Sequence, residues 1–536
     1  MKGLVVCPQP RAADVGAAIL NQGGTAFDAA IATAFAQMIV DPFMCGIGGM
    51  GSFQYYHSAT GENGMIDFHA TSGAKVTPEM WQNDMKGRTP ISGYSLFDDY
   101  RSELGYTSIM TPGTVAGFAE AHRRFGTMPW CDLLQPAICM AREGFQMTSY
   151  VRDFFTQDFM EGIPDGMTRV TKTNACREIY VHPEGRFHDI GEIVKNPGYA
   201  DSLDALATDG PESFYTGALG KKIADDLAAN GSYVTAKDLA NYRPDCCAPV
   251  KGSYRGHPVS SNPPPGSGIS LIQMLQILEH FDLGSYDHGS APHLDLVARA
   301  MSAAHRDRNE YLADPAFTEV PAEMLTSRDR AAMWAEKIRK GEFLGDGKES
   351  PPSCTTHLSV YDETGNAVSC THTLGTGSGV VTPGTGFVYN NSMKLFDPIP
   401  GRANSMAPGK RRTTGMVPTI LFHEDGKPRI IVGAPGGSVI ISSVLQTILN
   451  IVDFGMSPIE AVTVPRIHCE GKGIYAEARV QSSEINKLRD YGHMVDHTPI
   501  SFDPVMSRAH AITVEQDGTY RGGADPRGGG GVAYSR

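Results

Sequence analysis

Hydrophobic positions along the chain follow a helical period first and an alternating one later. Residues 11–40 read as two helices broken at Gly23-Gly24. The second, 26–40, is apolar nearly all round, which suits a helix buried on every side. Helical patterns recur at 114–125, 131–143, 197–208, 218–230, 269–281 and 292–312, joined by turns such as Asn262-Pro-Pro-Pro-Gly-Ser-Gly268. The first two thirds are therefore expected to be helix-rich. After Phe343 the character changes: Leu344-Gly-Asp-Gly-Lys-Glu-Ser-Pro-Pro-Ser-Cys354 is polar and rich in Gly and Pro, the kind of stretch that lies exposed and accepts chain cleavage. Downstream, strands dominate. Runs at 358–361 and 367–374, at 418–423 and 429–433, and at 511–516 and 519–521 read as three hairpins, with a helix from 438 to about 453.

The first hairpin carries a geometric consequence. If Tyr361 pairs with Ala367 across the loop, Thr355 stands opposite Thr373 and two hydroxyls face each other. Parity supports this register. Leu358 and Val360 then share one face with Val368 and Cys370, while Thr355, His357 and Ser359 share the other with Ser369, Thr371 and Thr373. Threonine is a favoured strand residue, so a Thr/Ser-rich face alone is weak support for catalysis.

A second feature is Ala434-Pro-Gly-Gly-Ser438, where a strand leads into a helix. Glycines let the backbone turn sharply and leave amide groups pointing outward at the positive end of the helix dipole, a nest able to bind an oxyanion. The plainer reading is a tight strand-to-helix connection. Gly46-Ile-Gly-Gly-Met-Gly51 matches a dinucleotide-binding fingerprint, but that motif follows a strand and opens a helix. Here a helix precedes and a strand-like run follows, so close packing of a strand against the buried helix is the better reading.

Composition narrows the function. A chain of 536 residues with 41% hydrophobic content can bury a large core. The net charge of −13 is spread without long blocks, which argues against nucleic acid or an anionic membrane surface and for small-molecule chemistry. The ten cysteines include no CxxC and no Cys/His spacing suited to zinc, so no metal and no cofactor is expected. They read as structural thiols in a reducing compartment. The opening apolar run is too short for a signal-peptide core, and nothing later approaches about 18 uninterrupted apolar residues. A cytoplasmic protein is expected.

These residues resemble the gamma-glutamyltransferase family over nearly the whole chain. Gly23-Gly-Thr-Ala-Phe-Asp-Ala-Ala30, Gly46-Ile-Gly-Gly49, Thr111-Pro-Gly-Thr-Val-Ala-Gly-Phe118, Gln135-Pro-Ala137, Asp238-Leu-Ala-Asn-Tyr242 and Pro263-Pro-Pro-Gly-Ser-Gly268 resemble family signatures in family order. So do Thr355-Thr-His357, Gly365-Asn-Ala-Val368, Asn390-Asn391, Pro418-Thr419, Ala434-Pro-Gly-Gly-Ser438 and Asp525-Pro-Arg527. The resemblance implies an α+β fold, the four-layer αββα sandwich of N-terminal-nucleophile hydrolases. It also implies a precursor that cuts itself between Cys354 and Thr355. Residues 1–354 would be a large subunit and 355–536 a small one, intertwined as one unit. By resemblance Thr355 is the nucleophile, Thr373 hydrogen-bonds it, and Gly436 and Gly437 form the oxyanion hole.

The chain departs from the family where the glutamyl group would be held. Asn391 matches, but His69 stands for an arginine, Gly375 for an asparagine, Leu395 for the aspartate that pairs with the α-ammonium, and Thr414-Gly415 for a serine pair. Losing a buried partner for an ammonium should cost several kcal/mol, so a γ-glutamyl substrate fits poorly. The short segment 398–410 lacks the lid loop of many relatives, which implies an open pocket. Intact nucleophilic machinery with altered specificity elements implies hydrolysis of another small amide, such as a small carboxylate of the oxamate type handled by one branch of the family. His69, Lys394, Arg411 and Arg412 are candidate anion contacts. A γ-glutamyl hydrolase or transpeptidase proper, and a catalytically silent binding protein, remain as alternatives.

Overall fold

The computed structural model describes residues 2–88, 95–156, 162–342, 355–471 and 473–536. The expected exposed segment at 344–354, with the scissile position at Cys354, lies outside the described residues. Two antiparallel sheets form the centre. The first runs in the order Gly531–Tyr534, Gly3–Cys7, Thr356–Asp362, Ala367–Thr373, Met50–His57, Glu62–Phe68 and Asp245–Cys247. The second runs Tyr520–Ala524, His510–Val514, Pro428–Gly433, Thr419–Phe422, His257–Ser261 and Val250–Tyr254. Each sheet mixes strands from before and after position 355.

The sheets face each other across an apolar seam that includes Leu4, Val6, Ala367, Ile420, Ile431 and Ile512. The outer face of the first sheet packs on the helices Pro10–Asn21, Ala26–Val40, Thr114–Phe125 and Trp130–Glu143, through residues such as Leu358, Val360, Val368 and Cys370. Beyond the second sheet lie Gly268–Leu278, Ala291–Tyr311, Arg328–Arg339 and Val439–Val452. The layers are thus αββα, as alternation within strands and apolar stripes on helices require when each element has one face to bury.

Ala26–Val40 is buried at all fifteen positions, which accounts for its lack of a polar face. Thr25 and Asp28 form a capping box at its start. Asp362, the last residue of the first strand of the Thr-rich hairpin, accepts from Ala26 N at 2.8 Å and from the loop amides of Thr364 and Asn366 at 2.9 and 3.0 Å. One carboxylate therefore fixes both the loop and the helix end. Among the described residues no helix is long and apolar enough to cross a membrane.

Candidate active site

Tyr361 pairs with Ala367 and Thr356 with His372, the register that sets Thr355 beside Thr373. The Thr355 hydroxyl donates to Oγ1 of Thr373 at 3.2 Å, and that oxygen also accepts from Gly375 N at 2.8 Å. Both threonines are buried, at 3% and 1% exposure, yet both line a cavity of about 480 Å³. Gly375 has φ +78°, and a Cβ there would come 2.3 Å from Asn391 Oδ1, so both backbone and space require glycine.

The hairpin is held from behind by a side chain of the buried helix. Gln37 donates to Thr356 Oγ1 at 3.1 Å and to His357 O at 3.2 Å, and its own oxygen lies 2.9 Å from His372 Nε2. It therefore grips both strands next to Thr355. On the opposite face His357 bridges Thr371 Oγ1 at 2.9 Å and Ser359 Oγ at 3.0 Å. Burial pushes the His357 and His372 imidazoles down to about 3, so both stay neutral at ordinary pH.

Across the cavity, Gly436 (φ +132°) and Gly437 (φ +69°) turn the chain from Pro428–Gly433 into Val439–Val452. Gly415 passes so close that a Cβ on it would sit 2.0 Å from Gly437 O. Gly437, Ser438, Thr414 and Gly415 all line the same cavity as the two threonines. Gly46-Ile-Gly-Gly-Met-Gly51 is a close-packing device, but its partner is this hairpin rather than the helix. A Cβ on Gly49 would meet Thr373 O at 2.4 Å, and one on Gly51 would meet Thr371 O at 2.6 Å.

The cavity wall is basic. Arg88, Arg308, Lys394, Arg402 and Arg412 line it against two carboxylates, Glu310 and Asp397. Asp397 takes Arg88 at 3.1 Å and Arg402 at 2.8 Å. Lys394 shares Glu103 with Arg169, each at 3.2 Å, so one carboxylate serves two cations. Burial alone would raise the Glu103 carboxyl, but Lys394 and Arg169 hold it below its usual value. Leu395, Phe396, Leu312 and Ile440 supply apolar wall, and residues 401–404 of the short segment form one side.

Of the candidate anion contacts, Lys394 and Arg412 reach this cavity and two do not. His69 is 2% exposed with Nδ1 on Asp67, and Arg411 pairs with Asp314 at 2.9 Å and Asp67 at 3.2 Å. Neither is among the cavity-lining residues. Asn391 stands behind the wall, donating to Glu103 Oε2 at 2.9 Å and Thr376 Oγ1 at 2.7 Å. Arg88, Arg308 and Arg402 come from three separate segments, and no spacing in the sequence marks them. Gln37 does carry a signal, as a rare polar residue in a helix apolar on all sides.

A family model described as gamma-glutamyltranspeptidase matches residues 12–535. The chain is 38% identical over 534 residues to a protein of a Pseudomonas species named acylase ACY 1 proenzyme, covering 98% of this chain and 92% of that one. It is 35% identical over 549 residues to the glutathione hydrolase proenzyme of Escherichia coli, covering 98% and 90%. Among solved structures, a cephalosporin acylase from Bacillus halodurans aligns with a TM-score of 0.89 at 27% identity, over 100% of this chain and 96% of that one.

Proposed function

The chain belongs to the gamma-glutamyltranspeptidase family of N-terminal-nucleophile hydrolases, and on that premise we propose that it is a self-processing hydrolase of small anionic amides other than γ-glutamyl compounds. The observation that carries this reading is the placement of the Thr355 and Thr373 hydroxyls, 3.2 Å apart, in one cavity with Gly437 and a wall of five cationic side chains.

In this account the bond before Thr355 is cut by the Thr355 hydroxyl itself, leaving chains 1–354 and 355–536. The freed α-amine of Thr355, with a reference pKa of about 7.7–8.0, then serves as the base. It takes the hydroxyl proton as Oγ1 attacks the amide carbonyl, and Thr373 keeps that oxygen aimed. The Gly436 and Gly437 amides hold the oxyanion. Collapse expels the amine, which leaves with the proton, and water hydrolyses the acyl-enzyme.

Leu395 offers no carboxylate to a substrate ammonium, whereas Lys394 and Arg412 line the cavity and, in this reading, meet the substrate's anionic group. The acylase names among the relatives favour a non-glutamyl amide. The similarity to glutathione hydrolases supports the γ-glutamyl alternative. That the relatives are hydrolases and acylases speaks against a silent binding protein. We place the protein in the cytoplasm, the compartment that its cysteine usage, without CxxC pairs, suggests. Matched amides with and without a carboxylate, assayed beside a γ-glutamyl anilide, test the reading. Carboxylate-bearing amides should be turned over at least about a hundred-fold more efficiently, roughly 2.7 kcal/mol in the transition state. A γ-glutamyl anilide as the best substrate would overturn it.

A further inference from the structure

Beside Val439–Val452, the helix that follows the Gly436-Gly437 turn, lies a cluster that the hydrolytic reading does not use. His305 comes from the long helix Ala291–Tyr311, His468 from the short strand Ile467–His468, and Glu470 follows two residues later. One donor atom from each lies within 4.8 Å of the others. Their exposures are 0%, 2% and 2%. We propose that His305, His468 and Glu470 form a transition-metal site, with a donor set suited to zinc, that joins the segments before and after position 355.

The chemistry of each ligand supports this. Among the described residues neither ring nitrogen of His305 has a hydrogen-bond partner, which is rare for a buried imidazole in a satisfied polar network. An imidazole whose two nitrogens are both unengaged can present one of them to a metal ion. His305 Nδ1 lies 4.0 Å from Glu470 Oε2, too far for a hydrogen bond. Two metal–ligand bonds of about 2.0–2.2 Å at a tetrahedral angle bridge about 3.4 Å, so a shift of about half an ångström would bring the pair to ligand spacing.

His468 Nδ1 lies 2.7 Å from the Ser442 hydroxyl, which can accept the ring proton, and its Nε2 lies 3.2 Å from Glu470 Oε1. An outer partner on the second nitrogen is how metal-bound imidazoles are oriented. Two imidazoles and a carboxylate are a zinc donor set. Ser442, which meets His468, lies on the helix Val439–Val452 that follows Ser438, a residue of the cavity wall.

The test uses untagged full-length protein. Metal content is measured by plasma mass spectrometry as purified, after chelator dialysis, and after titration with zinc or cobalt(II). The stripped wild type should bind about one equivalent, with a cobalt spectrum of a four- or five-coordinate site and a Tm that rises on zinc addition. His305→Phe and Glu470→Gln should each lose that equivalent. Failure of the stripped wild type to bind stoichiometrically would overturn the proposal. So would undiminished binding by either folded variant. If neither variant folds, the wild-type stoichiometry and cobalt spectrum decide alone.

Discussion

At the residue scale, a few positions carry the proposed chemistry and each makes a separable claim. Gly437 adopts φ +69°, a region in which a β-branched side chain is strained, so Gly437→Val should turn its amide away from the oxyanion. Loss of one such donor costs about a hundred- to a thousand-fold in kcat, and near-normal turnover by the folded variant would remove this turn from the mechanism. Arg412→Met keeps the buried stem but removes the charge. It should raise KM for a carboxylate-bearing amide about ten-fold or more while leaving a neutral amide unchanged, since a charge-assisted hydrogen bond is worth about 1.5–3 kcal/mol. Equal effects on both substrates would contradict an anion-binding role. The Thr355–Thr373 pair was legible from parity alone, because a one-residue slip would move every side chain of the hairpin to the other face. The basic wall was not, since Arg88, Arg308 and Arg402 converge only through tertiary contacts. His69 and Arg411 were candidate anion contacts, but hydrogen bonding to Asp67 and, for Arg411, ion pairs with Asp314 and Asp67 hold them outside the cavity.

At the element scale, the hairpin and the buried helix act as one support. Gln37→Leu is close in size but removes the donor that serves Thr356 and His357 and the acceptor facing His372. Leaving such buried groups unpaired costs about 1–3 kcal/mol each, so both Tm and kcat should fall, whereas an unchanged kcat would show that the grip does not aim Thr355. Helices were legible because their apolar stripes are long: 114–125 is observed as Thr114–Phe125, and 292–312 as Ala291–Tyr311. The expected hairpins at 418–433 and 511–521 also form, as Thr419–Phe422 with Pro428–Gly433 and His510–Val514 with Tyr520–Ala524. The strands Glu62–Phe68 and Val250–Tyr254 were not legible. They contain Asn, Asp, Gly, Lys and Ser, residues depleted in strands, and they pair because neighbouring strands supply the ladder. The helix-rich reading of the first two thirds therefore missed strands that both sheets require.

At the scale of the whole molecule, interleaving of segments from either side of position 355 means that the proposed cut would divide both sheets without separating them. The buried histidines add a pH dependence. Burial lowers His293 to about 4 and His305, His357 and His372 to about 3, so the folded protein keeps them neutral while the unfolded chain protonates them below about 6.5. Their contribution is fully present above pH 6.5 and is lost as pH falls toward 3 to 4, at about 1.4 kcal/mol per pH unit for each group. Urea midpoints of the chelator-treated protein should fall steadily between pH 7 and pH 4.5, and a flat profile would contradict the neutral-histidine account. The central claim is that Thr355 cuts the chain before itself and then serves as the nucleophile. Intact-mass analysis with N-terminal sequencing of the purified wild type and of Thr355→Ala tests it most directly. The account predicts two wild-type fragments of about two thirds and one third of the mass, the smaller beginning at Thr355, and a single uncut, inactive chain for Thr355→Ala. A Thr355→Ala protein still cut before residue 355, or a wild type that stays whole and hydrolyses amides, would contradict it.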